Sequence, residues 1–240
     1  MAEWFTDWFD SPYYHTLYKN RDDNEAQRFI DQLINYLQFT KEDKLLDLAC
    51  GKGRHSIYLN KKGFDVVGAD LAPQSIAAAN EFSNERLKFV VHDMREVLAK
   101  ESFDYVLNLF TSFGYFDDEK ENYQTIEAIK ETLLPNGRLV IDFMNTDKVV
   151  ANLVSKEEKT VDGVTFHITR EVIKGFITKN IRFTDKGKSY HFTERVKVIP
   201  LEDFESYLKG WKIEKTFGNY QLEEYDKTTS DRLIIVARKK

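Results

Sequence analysis

The chain has 240 residues, with 42% hydrophobic and 31% charged residues and a formal net charge of −5. That length suits one large domain or one domain with a substantial insertion, and the composition excludes a disordered chain. The acidic balance argues against a large nucleic-acid footprint, which needs clustered Lys and Arg.

No apolar run is long enough to span a bilayer, and the N-terminal MAEWFTDWFD is acidic and aromatic where a signal peptide would be basic and then apolar. Cys50 is the single cysteine, so no intramolecular disulfide forms and a reducing, cytoplasmic setting is expected. It reads as a small packing residue, because nothing beside it makes a nucleophile-base pair. His15, His55, His92, His167 and His191 fall neither in helical ligand pairs nor beside the cysteine, so no metal is expected.

In chain order, EWFTDWFDSPYYHTLY gathers Trp4, Phe5, Trp8, Phe9, Tyr13, Tyr14 and Tyr18. It reads as an amphipathic segment docked on the core, as a lid that excludes water from a site, or both. Residues 23–38 form a helix on the i, i+4, i+8 spacing of Phe29, Leu33 and Leu37. The run Leu45, Leu46, Leu48 then ends at a glycine-rich turn, LACGKG, as a buried parallel strand does before a helix. Gly51 and Gly53 allow positive φ or close approach to a ligand, and the following helix stops at Gly63.

A second strand, FDVVGAD, ends in Asp70, roughly 20 residues past the glycines, where a carboxylate can accept both hydroxyls of a ribose. A third, LKFVVHD, ends in Asp93. In a Rossmann-like sheet these strand ends share one edge, the crevice that takes nucleotides. A dinucleotide would want GxGxxG, but Ser56 stands where its third glycine belongs, and Asp47 would face the pyrophosphate with like charge. S-adenosylmethionine carries an ammonium and a sulfonium instead, which an acid there attracts.

At DLACGKG, with the acid Asp70 closing the second strand, the chain resembles the class I S-adenosylmethionine-dependent methyltransferases. The resemblance implies a seven-stranded, doubly wound α/β core and S-adenosylmethionine as cofactor. On the cofactor side it places Asp47, Ala49, Cys50, Gly51, Gly53, Asp70, Leu71, Asp93, Met94 and Asn108. It also singles out Tyr14, Tyr18 and, more weakly, Arg21 from a segment that in such enzymes often lends a tyrosine to the cofactor.

The fourth strand, FDYVLNLF, leads into TSFGYF, where the resemblance puts the transfer site, with Phe110, Ser112 and Tyr115 facing the acceptor. No NPPY-like stretch follows, which favours a small-molecule acceptor over a nucleobase. A long helix runs from Glu119 to about Leu134, Pro135, Asn136 and Gly137 form a turn, and RLVIDFM is the fifth strand.

After Asn145 the pattern alternates: VTFHITR, GFITKNIRFTD and KSYHFTERVKVI read as antiparallel strands, with a hairpin at DKGK. A helix LEDFESYLKG and strands WKIEKTFG and DRLIIVARKK restore the core. The expected division is 1–43 lid and helix, 44–145 with 200–240 cofactor core, and 146–199 an inserted β subdomain serving as substrate cap or dimer surface.

These readings converge on methyl transfer to nitrogen or oxygen of a small organic acceptor, by a monomer or homodimer. A cofactor-binding protein without transfer chemistry and a nicotinamide-binding Rossmann domain stay open beside it. If a base is needed, Tyr115, His167, His191 and Tyr220 are its candidates. Arg195, in the insertion, is expected to pair with a carboxylate on the acceptor.

Overall fold

The structure, a computed structural model, describes residues 8–19 and 23–240. The expected roles of Trp4, Phe5 and Arg21 lie outside those residues. A first short helix, α1 (Pro12–Leu17), is followed by α2 (Asp23–Leu37). The core then alternates β1 (Lys44–Leu48), α3 (Arg54–Lys61), β2 (Asp65–Asp70), α4 (Pro73–Asn80), β3 (Leu87–Val91), β4 (Phe103–Asn108), α5 (Glu119–Thr132) and β5 (Leu133–Met144). After α6 (Thr146–Ala151) come β6 (Lys156–Val161), β7 (Val164–Ile173), β8 (Phe176–Asp185) and β9 (Lys188–Lys197). The chain closes with α7 (Leu201–Tyr207), β10 (Trp211–Phe217) and β11 (Arg232–Lys239).

Seven strands form one sheet in the order β10-β11-β5-β4-β1-β2-β3. All neighbours are parallel except around β11, which runs antiparallel to β5 and to β10. Alternating side chains separate two cores. Leu45, Leu107, Val140 and Ile234 face α2, α3 and α4, while Leu46, Val106, Leu139 and Ile235 face α5 and α7. The strand order reverses between β4 and β1, so the carboxyl ends of β1–β4 open on the crevice of a doubly wound sheet.

The second sheet is four antiparallel strands, β6-β7-β8-β9. Its edge strand β6 and the helix α6 went unread in the sequence, because KEEKT has no apolar alternation and is largely exposed. The expected Pro135–Gly137 turn lies inside β5 as an irregularity in its pairing with β4, with Asn136 at φ 64°. Among the described residues no helix is long and apolar enough to cross a membrane.

From Trp8 onward the aromatic N-terminal segment docks mainly on this second sheet, and it touches the Rossmann core where Asp10 accepts the Gln74 N–H at 3.1 Å. Trp8 and Leu17, both 1% exposed, make a third apolar cluster with Phe166, Ile168, Ile181 and Phe183. Polar tips reach the same sheet: Tyr13 donates to Asp185 at 2.8 Å, and Trp8 Nε1 donates to Glu194 at 2.6 Å.

Candidate functional site

A cavity of about 420 Å³ lies at the carboxyl ends of β1–β4, between the glycine loop and the face of α1 that carries Tyr14, His15 and Tyr18. The volume suits a small-molecule site. Its floor begins where β1 stops: Ala49 (φ 64°), Gly51 (φ 57°) and Gly53 (φ 78°) are all left-handed, and the Ala49 and Cys50 N–H groups donate to the Ala69 carbonyl at 2.7 and 3.0 Å. The two glycines serve different ends. A Cβ on Gly51 would meet nothing within 4 Å, so this position borders open space in the cavity wall, whereas one on Gly53 would sit 2.5 Å from the Phe89 ring.

Asp70 closes β2 beside that loop. Its Oδ2 accepts the Gly51 N–H at 2.7 Å and its Oδ1 accepts the Ala72 N–H at 2.8 Å. Burial raises its pKa, with those N–H donors opposing. Each carboxylate oxygen has a second lone pair, so a pair of adjacent hydroxyls entering the cavity can be accepted as well. At the end of β3, Asp93 is held by Arg95, whose NH2 lies 2.6 Å from Oδ2. Burial opposes its charge, but Arg95 outweighs it and holds the carboxyl below the ordinary range.

Beyond β4 the chain turns through Phe110 (φ 63°) and Thr111 (φ 59°). Leu109, Phe110, Ser112, Tyr115 and Phe116 line the wall opposite the glycine loop. Tyr115 donates its hydroxyl to the Thr111 carbonyl at 2.5 Å, and its ring meets the Phe9 ring edge-on with centroids 5.2 Å apart. Cys50 also borders the cavity, and burial pushes its thiol well above the ordinary range, which leaves it a poor nucleophile at neutral pH.

The cavity thus gathers Tyr14, Tyr18, Ala49, Cys50, Gly51, Asp70, Leu71, Asp93, Met94, Phe110, Ser112 and Tyr115. Other expected site residues lie elsewhere, for definite reasons. Asp47 is 1% exposed and turned into the fold, where Ser56 N–H and Oγ–H donate to its Oδ2 at 3.1 and 2.5 Å. Gly53 makes room for Phe89, and Asn108, 1% exposed, donates to the Leu48 carbonyl beneath the floor. Tyr220 packs at a tilt against Phe29 with centroids 4.5 Å apart and donates to Asp142, behind the wall.

The insertion's candidates are also remote. His167 and His191 are exposed on the face of the second sheet turned from α1, cross-strand neighbours of Arg182. Arg195 pairs with Asp117 at 2.8 Å and covers the Phe176 ring, so it is spent on a cross-strand and loop contact outside the cavity. Sequence reasoning missed His15 on α1, Lys19 just after it, Lys52 in the glycine loop, and Arg54 and His55 at the start of α3. The spacing of Tyr14 and Tyr18, one helical turn apart with His15 next to Tyr14, was the available signal.

The methyltransferase-domain family matches residues 39–197. The chain is 29% identical over 236 residues to the glycine/sarcosine/dimethylglycine N-methyltransferase of Actinopolyspora halophila, covering 92% of this chain but 40% of that relative. It is 28% identical over 165 residues to the dTDP-3-amino-3,4,6-trideoxy-alpha-D-glucopyranose N,N-dimethyltransferase of Streptomyces venezuelae, covering 65% of this chain and 68% of the relative. Among solved structures, an S-adenosylmethionine-dependent methyltransferase of Clostridium acetobutylicum ATCC 824 superposes with a TM-score of 0.79 at 19% identity, covering 95% of this chain and 96% of that one.

Proposed function

The chain belongs to the class I S-adenosylmethionine-dependent methyltransferases, and on that premise we propose that it methylates the amine nitrogen of a small organic acceptor. The observation that carries this is the cavity itself: a space of about 420 Å³, of small-molecule size and aromatic on the acceptor side. Relatives at 28–29% identity are named for transfer to the nitrogen of glycine derivatives and of an amino sugar, which supports nitrogen over oxygen.

The residues present fit the cofactor. Asp70 is half-buried, fixed by two backbone N–H groups and placed to accept ribose hydroxyls, and Gly51 leaves bare the wall where a Cβ would stand. In this reading Asp93 and Met94 take the base side, and the Ala49–Gly51 turn wraps the amino-acid end. When bound, S-adenosylmethionine supplies a methyl group already activated by its sulfonium. The chain's own part is to exclude water and align the acceptor: Phe110, Ser112 and Tyr115 form the wall against which an amine would be held.

Tyr115 has its proton committed to the Thr111 carbonyl, so it orients and does not serve as a base. An amine needs none for attack once it enters neutral, since its lone pair is the nucleophile. The inserted sheet contributes indirectly, as the platform on which α1 is fastened over the cavity.

The test is a panel of small amines, each paired with its hydroxyl analogue, incubated with S-adenosylmethionine and followed by mass spectrometry. At least one amine should gain the mass of a methylene while S-adenosylhomocysteine accumulates in step. Methylation confined to the hydroxyl partners would overturn the assignment to nitrogen.

A further inference from the structure

Phe110 and Thr111 are consecutive non-glycine residues in the left-handed region, and one is aromatic while the other is β-branched. Such backbone is costly for these types and persists only where surrounding contacts over-determine it. Here the contacts converge from two core strands. Asp142 of β5, 1% exposed, accepts the Phe110 N–H with Oδ2 at 2.8 Å, and its carbonyl accepts the Thr111 N–H at 2.8 Å. Arg232 of β11 donates Nε to Asp142 Oδ1 at 2.7 Å and its NH2 to Thr111 Oγ1 at 3.0 Å.

Thr111 therefore has every polar group engaged: its N–H by Asp142, its hydroxyl by Arg232, and its carbonyl by the Tyr115 hydroxyl in the cavity wall. The guanidinium also sits over the Phe110 ring at 5.9 Å, with Arg54 over the same ring at 5.1 Å. On the far side of the loop the Lys197 N–H, from the end of β9, donates to the Gly114 carbonyl at 2.8 Å. The turn is thus tied to both sheets.

We infer that Asp142, Arg232 and Thr111 are positioning residues: an ion pair between the buried Asp142 and the partly buried Arg232, reaching the cavity through Thr111, fixes the strained Phe110–Thr111 turn and with it the Phe110 and Tyr115 rings that face the acceptor. Burial works against the Arg232 charge, yet Asp142 more than compensates and keeps the guanidinium protonated. The inference rests on the reading of this cavity as the transfer site.

Because Arg232→Gln would leave a buried carboxylate unpaired and could unfold the chain, the decisive variant is Thr111→Val, which keeps the β-branched shape and removes only the hydroxyl. Thr111→Ser, which retains it, is the conservative control. Amide hydrogen exchange on the S-adenosylhomocysteine complex should speed up by roughly tenfold or more at Phe110 and Thr111 in Thr111→Val, with β1 and β5 amides unchanged. In Thr111→Ser the two amides should exchange as in the parent.

Affinity for S-adenosylhomocysteine should stay within about twofold by calorimetry, while kcat for whichever amine the parent methylates falls in Thr111→Val and not in Thr111→Ser. Equal exchange in the two variants, or equal kcat, would overturn the positioning role. Failure of the parent to bind S-adenosylhomocysteine would instead overturn the reading of the cavity, and the exchange comparison on the unliganded protein would still judge the clamp.

Discussion

Tyr18 donates its hydroxyl to Glu194, 176 residues further along the chain, at 2.7 Å. The same carboxylate accepts Trp8 Nε1 at 2.6 Å and pairs with Lys179 at 3.3 Å, and Lys179 in turn donates to the Tyr18 oxygen. Lys179 and Glu194 are only 12% and 13% exposed, and burial lowers the lysine's pKa against the pull of Glu194. One acid of the inserted sheet thereby fastens the helix that walls the cavity.

Removing that acid should loosen the wall. Glu194→Ala leaves a buried ammonium and two donors without their acceptor, a loss expected to cost about 3 kcal/mol. The melting temperature should fall, and S-adenosylhomocysteine should dissociate faster in stopped-flow than from the parent. A variant that melts lower with an unchanged off-rate would show that the fastening serves stability alone.

Asp70→Ala should weaken S-adenosylmethionine by an order of magnitude or more, as expected for roughly 1.5–3 kcal/mol of charged hydrogen bonding. Because the carboxylate also holds the Gly51 and Ala72 N–H groups, part of the loss would come through the loop. Calorimetry on a folded variant with unchanged affinity would remove Asp70 from the cofactor.

The two loop glycines should separate cleanly. At Gly53 a Cβ lands 2.5 Å from Phe89 in addition to the positive φ, so Gly53→Ala should cost about 2–4 kcal/mol by overpacking and backbone strain. At Gly51 only the φ penalty, about 1 kcal/mol, falls on the fold, and the rest falls on the cofactor. Gly51→Val should retain its circular dichroism while losing cofactor binding. Chemical denaturation that ranks Gly51→Val as the less stable of the two would contradict this division.

Burial pushes the Asp47 carboxyl up to about 6. Its folded pKa lies above the unfolded value of about 3.9, so the folded state holds the extra proton between those values. Ionisation of Asp47 therefore costs stability at neutral pH, and that cost is relieved as pH falls through about 6 toward about 4. Asp47→Asn should match or exceed the parent's stability at neutral pH, by about 3 kcal/mol at most for a shift of about two units. The gap should close as the solution is acidified. A difference that does not vary with pH would count against a raised pKa.

Much of the proposed cofactor side was legible in the sequence because it is written locally. An apolar run, a left-handed glycine turn and an acid at the next strand end lie within roughly 25 residues, and the parallel sheet brings them together by its periodicity alone. Asp70 follows from that pattern. Asp47 shows its limit: the same motif told its charge but not that Ser56, in the first turn of α3, would draw it inward.

The proposed acceptor side depended on pairings with no period to read. Nothing in the sequence alone assigned the aromatic N-terminus to the inserted sheet, where Trp8 and Tyr18 find Glu194, or joined Asp142 to Arg232 across 90 residues beneath Thr111. Arg195 carried the right charge in the right insertion, yet its side of β9 meets Asp117 and Phe176, not the cavity. The sequence by itself determined which strands form the core and which acid ends the second of them, because burial and backbone sterics act on neighbours. Only the tertiary structure decided which distant charges face one another, because desolvation rewards the partners that the packing of the two sheets happens to bring within reach.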